Sequence, residues 1–175
     1  MTVEYQKLSP KLHSDERGCL FEVLSRSINF DGSPKHMYVS RSIRGTVRGF
    51  HQQLTNPQQK LVFCISGMVA DFGLNIDPFS EDFGNVKNFI LNGSLGEGVL
   101  IGSKVAHAFE CLSEDCTLLY ICDEHYDPKD QFDISPLNEE FVELWSCPSP
   151  QLSLKDKKGL TLGAAKDILL RKLEV

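Results

Sequence analysis

The chain has 175 residues, 41% of them hydrophobic, with a formal net charge of −6 and a sequence pI near 5.3. This length and apolar content allow one domain with a sizeable core that needs no disulfides or structural metal. The acidic balance argues against nucleic acid or an anionic membrane as the main partner, although a local basic pocket could still bind a small phosphorylated ligand. We expect one domain over residues 1–175, with a helical tail at residues 160–175.

The six cysteines form no Cys-x-x-Cys pair, and several of them lie inside apolar runs. This pattern indicates reduced, mostly buried thiols, which are typical of a cytoplasmic protein. The N-terminus lacks the basic-then-apolar layout of a signal peptide, and no apolar run approaches the roughly 20 residues that span a bilayer. We therefore expect a soluble protein located in the cytoplasm.

The first part of the chain predicts short strands separated by polar turns. A segment without a clear period ends in a polar turn at residues 15–18, and the apolar run that follows, residues 19–24, predicts a strand. After a loop, residues 35–43 predict another strand with a partly polar face. In this run Met37, Val39 and Arg41 alternate with His36, Tyr38 and Ser40.

Polar groups then occur inside two neighbouring apolar runs, residues 46–53 and 60–65. We interpret these runs as two adjacent antiparallel strands joined by a short polar loop. Arg48, His51 and Lys60 lie within this otherwise apolar pattern, and burial of such groups costs free energy unless they have partners. The pair of strands is therefore the first candidate for a functional site.

The second part of the chain continues as short strands and ends in a helix. Strands are predicted over residues 68–76, 85–91, 105–111 and 117–122, with another beginning at residues 99–101. A polar segment and an apolar cluster at Phe141, Leu144 and Trp145 follow. The tail is predicted to be helical behind a Thr161 cap, because apolar residues recur at steps of three and four at Leu162, Ala165, Ile168, Leu169 and Leu173.

About ten short strands, one terminal helix and no alternating βα units predict an all-β protein of the sandwich or jelly-roll class. Several motifs along it recur in a recognisable order: residues 15–22, 47–53, 59–62, 106–109 and 152–156, with Tyr120 and Tyr126. In order and spacing they resemble the dTDP-4-dehydrorhamnose 3,5-epimerase family over about residues 10–160. The resemblance implies a cupin-type jelly roll, a homodimer and a nucleotide-linked 4-keto-6-deoxyhexose as substrate.

The resemblance also assigns catalytic roles to five residues. Epimerisation beside a keto group needs a base, a group that stabilises the enolate and an acid on the opposite face. An imidazole can accept the proton near neutral pH, and a carboxylate on its other nitrogen fixes its tautomer. His51 and Asp156 match these two parts, Lys60 matches the enolate stabiliser, Tyr120 matches the acid, and His107 resembles a second histidine of the active-site floor.

Substrate-binding roles follow from the same motifs. Arg17 and Arg48 match the diphosphate-binding arginines, since guanidinium is a rigid fork of donors that suits phosphate. The other matched positions are Phe21, Glu22, His36, Gln53, Tyr126 and Lys155. His36 and Tyr38 stand where the family more often has glutamine and asparagine, and Leu20 replaces an aromatic residue. These departures leave the nucleotide open between dTDP and others such as CDP or GDP.

Strict strand alternation would place Arg48 and His51 on opposite faces, because three positions separate them. Both can face one cavity only if the strand is irregular between them. Gly49 lies at the right place for a bulge or a local twist. We therefore predict an irregularity at Gly49.

Other functions remain open on the sequence. A metal-dependent cupin would need a motif such as His-x-His, whereas Gln52 and Gln53 follow His51, so we expect no metal and no cofactor. A 3,4-ketoisomerase of the same superfamily commonly has a second histidine just after Arg-Gly-Phe-His, which this chain lacks. A non-catalytic sugar-nucleotide-binding jelly roll and an epimerase that acts at C3 or C5 alone are the further alternatives.

Overall fold

The computed structural model describes residues 4–26, 28, 30 and 32–172. Two five-stranded antiparallel sheets dominate this part of the chain and share a core, which makes a β-sandwich. The strands of the described residues are, in chain order, β1 (Tyr5–Leu8), β2 (His13–Asp15), β3 (Gly18–Leu20), β4 (His36–Ile43), β5 (Val47–Gln53), β6 (Lys60–Ser66), β7 (Met68–Asn75), β8 (Val86–Asn92), β9 (Gly98–Ile101), β10 (Val105–Cys111), β11 (Asp115–Cys122) and β12 (Gln131–Asp133).

The first sheet has the strand order β1-β9-β6-β11-β4, and the second has the order β12-β5-β10-β7-β8. Strands distant in the chain are thus neighbours in space, as in a jelly roll. The hairpin of β2 and β3 forms a separate two-stranded sheet, and all its strand residues are exposed. The predicted all-β sandwich is confirmed.

The core lies between the sheets because the inward faces of both are apolar. Val62 and Leu118 of the first sheet pack with Val69 and Phe109 of the second, and none of the four is more than 2% exposed. Another apolar cluster covers the other face of the second sheet, where the ring of Phe50 packs against later parts of the chain. Residues on the two faces of β5 therefore have different surroundings.

Two α-helices follow the sheets, α1 (Leu154–Lys157) and α2 (Leu162–Lys172). The predicted tail helix is confirmed, and the Ala164 amide donates to the Thr161 Oγ1 at 3.2 Å as the predicted cap requires. Leu173 and the two residues after it lie outside the described residues. Within the described part of the chain, no helix is long and apolar enough to cross a bilayer.

Three sequence-based expectations are wrong. The strand predicted over residues 19–24 ends at Leu20, because Phe21 and Val23 leave the hairpin and pack on the core in irregular backbone. The runs containing His51 and Lys60 are not paired neighbours: β5 lies in the second sheet and β6 in the first. The segments that were predicted to be irregular contain the short strands β1, β2 and β12.

The predicted irregularity at Gly49 is confirmed. Gly49 has φ +128°, and the Gly49–Phe50 peptide bond is cis. On the neighbouring strand β10, His107 lies opposite His51 while Phe109 lies opposite Arg48. Arg48 and His51 are three residues apart on β5, whereas their partners Phe109 and His107 are two residues apart on β10. β5 therefore has one extra residue here, which is a β-bulge. Since residues two apart on a strand share a face, the bulge brings Arg48 and His51 to the same face.

We predict that Gly49→Ala destabilises the protein by about 3 kcal/mol or more, because it adds both steric overlap and backbone strain. A Cβ at Gly49 would lie 2.3 Å from the Cβ and 2.5 Å from the Cα of Ala108. Gly163→Ala is the matched control, because Gly163 is an exposed helical residue with nothing within 4 Å of its added Cβ. Urea unfolding of the two variants measures the difference, and equal midpoints would contradict the prediction.

Candidate active site

A cavity of about 300 Å³ opens between the two sheets where β5 ends and β6 begins. Its lining combines residues from β4, β5 and β6 with residues from the segments after β11. Six of the predicted site residues line it: His36, His51, Gln53, Lys60, Tyr126 and Lys155. β5 and β6 belong to different sheets, so His51 reaches the cavity from one sheet and Lys60 from the other.

His51 forms a short hydrogen bond with Asp156, 105 positions later in the chain, with 2.6 Å between its Nε2 and Oδ1. Asp156 lies in α1, and Ser153 caps this helix by accepting from the Asp156 amide at 3.1 Å. The Ser153 hydroxyl also donates to the other carboxylate oxygen at 2.6 Å. The carboxylate is therefore fixed on both oxygens and is only 3% exposed.

The surroundings of Asp156 favour its charged form. Burial raises the pKa of this carboxyl, but hydrogen bonds from His51 and Ser153 and from the Gly49 backbone outweigh burial and lower the pKa below its usual value. A charged Asp156 accepts a hydrogen bond from the Nε2–H group of His51, which leaves Nδ1 as the basic nitrogen of the neutral ring. Nδ1 has no hydrogen-bond partner among the described residues, and the side chain is 31% exposed. An imidazole held in this way can accept a proton at Nδ1.

Lys60 places an ammonium group in the lining of the cavity, close to the backbone of His51. The side chain is almost fully buried, with 5% of the residue exposed, and its Nζ donates to the His51 carbonyl at 3.4 Å. Burial is the main cause that lowers the pKa of Lys60, to about 8. A poorly solvated ammonium stabilises nearby negative charge strongly, since little water competes with it. The wall of the cavity can therefore support an anion that forms next to His51.

Asp133 belongs to this site although the sequence did not single it out. It lies directly opposite His51 on β12, with Oδ1 3.8 Å from His51 Nε2. The Lys155 ammonium lies 3.1 Å from the same oxygen as an ion pair, and it donates to Gln131 Oε1 at 2.9 Å. In the sequence, the apolar Phe132 between polar Gln131 and Asp133 is the weak trace of this three-residue strand.

Tyr120 is fully buried behind the cavity and does not line it. The ring of Tyr38, which does line the cavity, stacks on it with centroids 4.3 Å apart and planes inclined by 6°. The Ser40 hydroxyl lies 3.5 Å from the Tyr120 hydroxyl. Burial raises the pKa of Tyr120 well above its usual value, so the phenol keeps its proton.

His107 is buried beneath the same wall, opposite His51 in the pairing of β10 with β5. Its Nε2 lies 2.8 Å from the Asp71 Oδ2, and the Tyr5 hydroxyl donates to the other oxygen of Asp71 at 2.7 Å. Its ring meets the Tyr120 ring edge to face at 6.0 Å. His107 is therefore held in a fixed position next to the phenol rather than in the cavity.

Four other predicted residues lie away from this cavity. Arg48 lines a neighbouring cavity of about 390 Å³, where its Nε donates to the Ser42 hydroxyl at 3.0 Å. Arg17 lies at the tip of the β2–β3 hairpin with 85% of its side chain exposed. Phe21 packs beside Gly96, and Glu22 lines a cavity near the N-terminal strands. One copy of the chain does not bring these four to His51.

Comparison with known proteins identifies close relatives. The family model of dTDP-4-dehydrorhamnose 3,5-epimerase matches residues 3–164. The dTDP-4-dehydrorhamnose 3-epimerase of Streptomyces niveus is 29% identical over 167 residues, which cover 92% of this chain and 81% of that protein.

Solved structures agree with this match. A dTDP-6-deoxy-D-glucose-3,5-epimerase from Legionella pneumophila in complex with dTDP-4-keto-L-rhamnose has 30% identity and a TM-score of 0.85, over 91% of this chain and 88% of that one. A 3'-monoepimerase from Streptomyces bikiniensis in complex with dTDP-quinovose has 26% identity and a TM-score of 0.87, over 96% and 89%. These neighbours confirm the predicted cupin-type jelly roll.

We predict that Lys60→Met stabilises the protein at pH 7 by about 3 kcal/mol, because each unit of pKa depression corresponds to about 1.4 kcal/mol. Below pH 8, Lys60 is charged in both the folded and the unfolded protein, and burial of the charge lowers the free energy of unfolding. Between pH 8 and the ordinary lysine pKa of 10.5, Lys60 is neutral in the folded protein and still charged in the unfolded protein, so this loss of stability disappears as the pH rises. Urea unfolding at pH 7 and pH 10 measures the difference in the free energy of unfolding between Lys60→Met and the native protein. This difference should be smaller at pH 10. Lys129→Met, at an exposed position, is the control. The same difference in the free energy of unfolding at both pH values would contradict the prediction that burial of Lys60 causes it.

Proposed function

The chain belongs to the dTDP-4-dehydrorhamnose 3,5-epimerase family, and we propose that it inverts C3, C5 or both in a dTDP-linked 4-keto-6-deoxyhexose. The observation that carries this proposal is the pairing of His51 with the charged Asp156 in a cavity that also contains Lys60. Both candidate carbons of the sugar lie beside the keto group, so one base and one cation suit either of them.

The reaction begins with proton transfer from the carbon to Nδ1 of His51. The electron pair of the C–H bond moves onto the keto oxygen and gives an enolate, while Asp156 stabilises the imidazolium. Lys60 stabilises the enolate oxygen, because its ammonium stands in the desolvated wall before the charge forms. The three groups thus share the first half of the reaction.

Return of a proton to the opposite face completes the inversion. We assign the donor to Tyr120, whose phenol is kept neutral by burial and is close to His107. Donation leaves a phenolate, and the positive charge of Arg48 favours that form. His107 serves as the group that positions the phenol, through its own bond to Asp71. His51 then releases its proton to solvent, and the Tyr120 phenolate takes up a proton from solvent.

Binding of the sugar and of the nucleotide falls to the remaining predicted residues. Gln53, His36, Tyr126 and Lys155 surround the cavity that would take the sugar. Arg48 lies in the next cavity along β4, at a place suited to the diphosphate. The exposed hairpin with Arg17 lies away from the cavity of its own copy, and we infer that it completes the site of a second copy in a homodimer.

The surface of β4 supports this homodimer. β4 is the last strand of its sheet, so one row of its backbone groups has no strand partner within the described chain. Three large apolar side chains of this strand are exposed, Met37 at 64%, Val39 at 61% and Ile43 at 57%. Apolar groups collected on one edge strand are typical of a surface that a partner covers.

We predict that Val39→Asp makes the protein monomeric, because a charge buried in an apolar interface without a partner is strongly unfavourable. Sedimentation equilibrium should give twice the chain mass for the native protein and the chain mass for the variant. Phe79→Asp is the control, since Phe79 is 72% exposed and lies in the turn after β7, a strand of the other sheet. A native protein that sediments as a monomer would refute the dimer.

The protein is also proposed to act in the cytoplasm. All six cysteines are free, and four of them are buried. Free thiols persist in a reducing compartment, whereas secreted domains commonly pair them.

The catalytic assignment is tested with dTDP-4-keto-6-deoxyglucose in heavy water, by following deuterium at C3 and C5 with NMR. Exchange at both carbons indicates the double epimerase, and exchange at one carbon indicates an enzyme of that carbon alone. His51→Ala should lower the exchange rate at least about 100-fold, which is the contribution typical of a positioned base. Asp156→Asn should lower the rate as well, because an amide cannot stabilise the imidazolium.

Tyr120→Phe separates removal of the proton by His51 from return of a proton to the opposite face. It should leave exchange in place and reduce inversion, because the variant still loses the proton but cannot return one to the opposite face. Folding of each variant is checked by its thermal melting. Native exchange rates in folded His51→Ala would refute the base, and no exchange in the folded native protein would refute the proposed activity.

A further inference from the structure

Aromatic side chains form a continuous row from the mouth of the cavity to Tyr120. The rings of Tyr126 and His36 are 6.2 Å apart, those of His36 and Tyr38 are 5.2 Å apart, and Tyr38 stacks on Tyr120 at 4.3 Å. Tyr38 is the member of the row that touches both the cavity and the buried phenol. Its position in the row therefore decides whether a ligand in the cavity can reach Tyr120.

Tyr38 also stands between the two cavities. Along the inward face of β4, Tyr38 lines the cavity of His51, Ser40 contacts the Tyr120 hydroxyl, and Ser42 lines the cavity of Arg48. A ligand that extends from His51 to Arg48 must pass the Tyr38–Tyr120 pair. With Tyr38 stacked flat on Tyr120, one face of the phenol ring is covered by the neighbouring ring.

The ring of Tyr38 is held more loosely than that of Tyr120. Within one copy of the chain, Tyr38 is 40% exposed, and its hydroxyl forms no hydrogen bond with any described residue. Tyr120 lies on an inner strand and is 4% exposed. A single aromatic stack of this kind is a weak contact, so ligand binding can displace the outer ring.

We propose that Tyr38 is a positioning residue that acts as a gate over Tyr120: its ring covers the proton-donating phenol and must swing aside before the second half of the reaction. This inference rests on the proposed function, and it concerns the ring of Tyr38 and not its hydroxyl. With the gate closed, His51 can still remove and return a proton on its own face. The native enzyme therefore exchanges the carbon-bound hydrogen faster than it inverts the carbon.

The gate is tested first without any substrate, by acetylation of tyrosines with N-acetylimidazole and mass-spectrometric quantification at Tyr120. Loss of the stack in Tyr38→Ala should raise the acetylation rate of Tyr120 about tenfold, the factor that corresponds to the upper strength of an aromatic pair. Tyr38→Phe keeps the ring and should keep Tyr120 protected. Phe79→Ala removes an exposed aromatic ring elsewhere and is the control. Tyr38→Asn replaces Tyr38→Ala if the latter does not fold.

The second measurement is the ratio of inversion to deuterium exchange with dTDP-4-keto-6-deoxyglucose. The ratio should rise in Tyr38→Ala and keep its native value in Tyr38→Phe, whereas general damage to the fold would lower both rates together. Equal acetylation of Tyr120 in native protein and Tyr38→Ala would overturn the gate, as would a Tyr38→Phe that behaves like Tyr38→Ala. Absence of exchange in folded native protein refutes the proposed function instead, because the acetylation result does not depend on turnover.

Discussion

The hydrogen bond between His51 and Asp156 is the interaction on which the rest of the site depends. It joins a strand of the second sheet to a helix of one turn near the end of the chain, and it decides which ring nitrogen is basic. The bulge at Gly49 belongs to the same arrangement, since the Gly49 backbone also supports the Asp156 carboxylate. A change in the geometry of β5 at Gly49 would therefore shift the Asp156 carboxylate and, with it, the imidazole ring of His51.

The fold class was predictable because it depends on local signals. Turn residues at short intervals and the period of two in the strands indicate many short strands and a sandwich. The same period states which side chains share a face, but it does not state which strand lies next to which. For this reason the sequence placed His51 and Lys60 on neighbouring strands, although they lie on facing sheets.

The site was predictable only in part. Nothing local connects His51 with Asp156 across 105 positions, and the family motif supplied that link. Asp133 was missed because its strand has three residues within a polar segment, too short for a periodic pattern to stand out. The stacking of Tyr38 on Tyr120 follows from the register of β4 against β11, a property of the pairing that neither strand contains by itself.

The loop between β5 and β6 carries the chain from one sheet to the other within six residues. Buried Gln52 accepts from the Gln58 amide and donates to the Gln58 carbonyl, both at 3.0 Å, so the side chain of one strand closes the loop that leads to the next. The base and the cation of the site are thus linked by a short, rigid tether as well as by the packing of the two sheets. The distance between His51 and Lys60 therefore depends on this loop as well as on the two sheets, and a change in Gln52 would alter the site without touching a residue of the proposed chemistry.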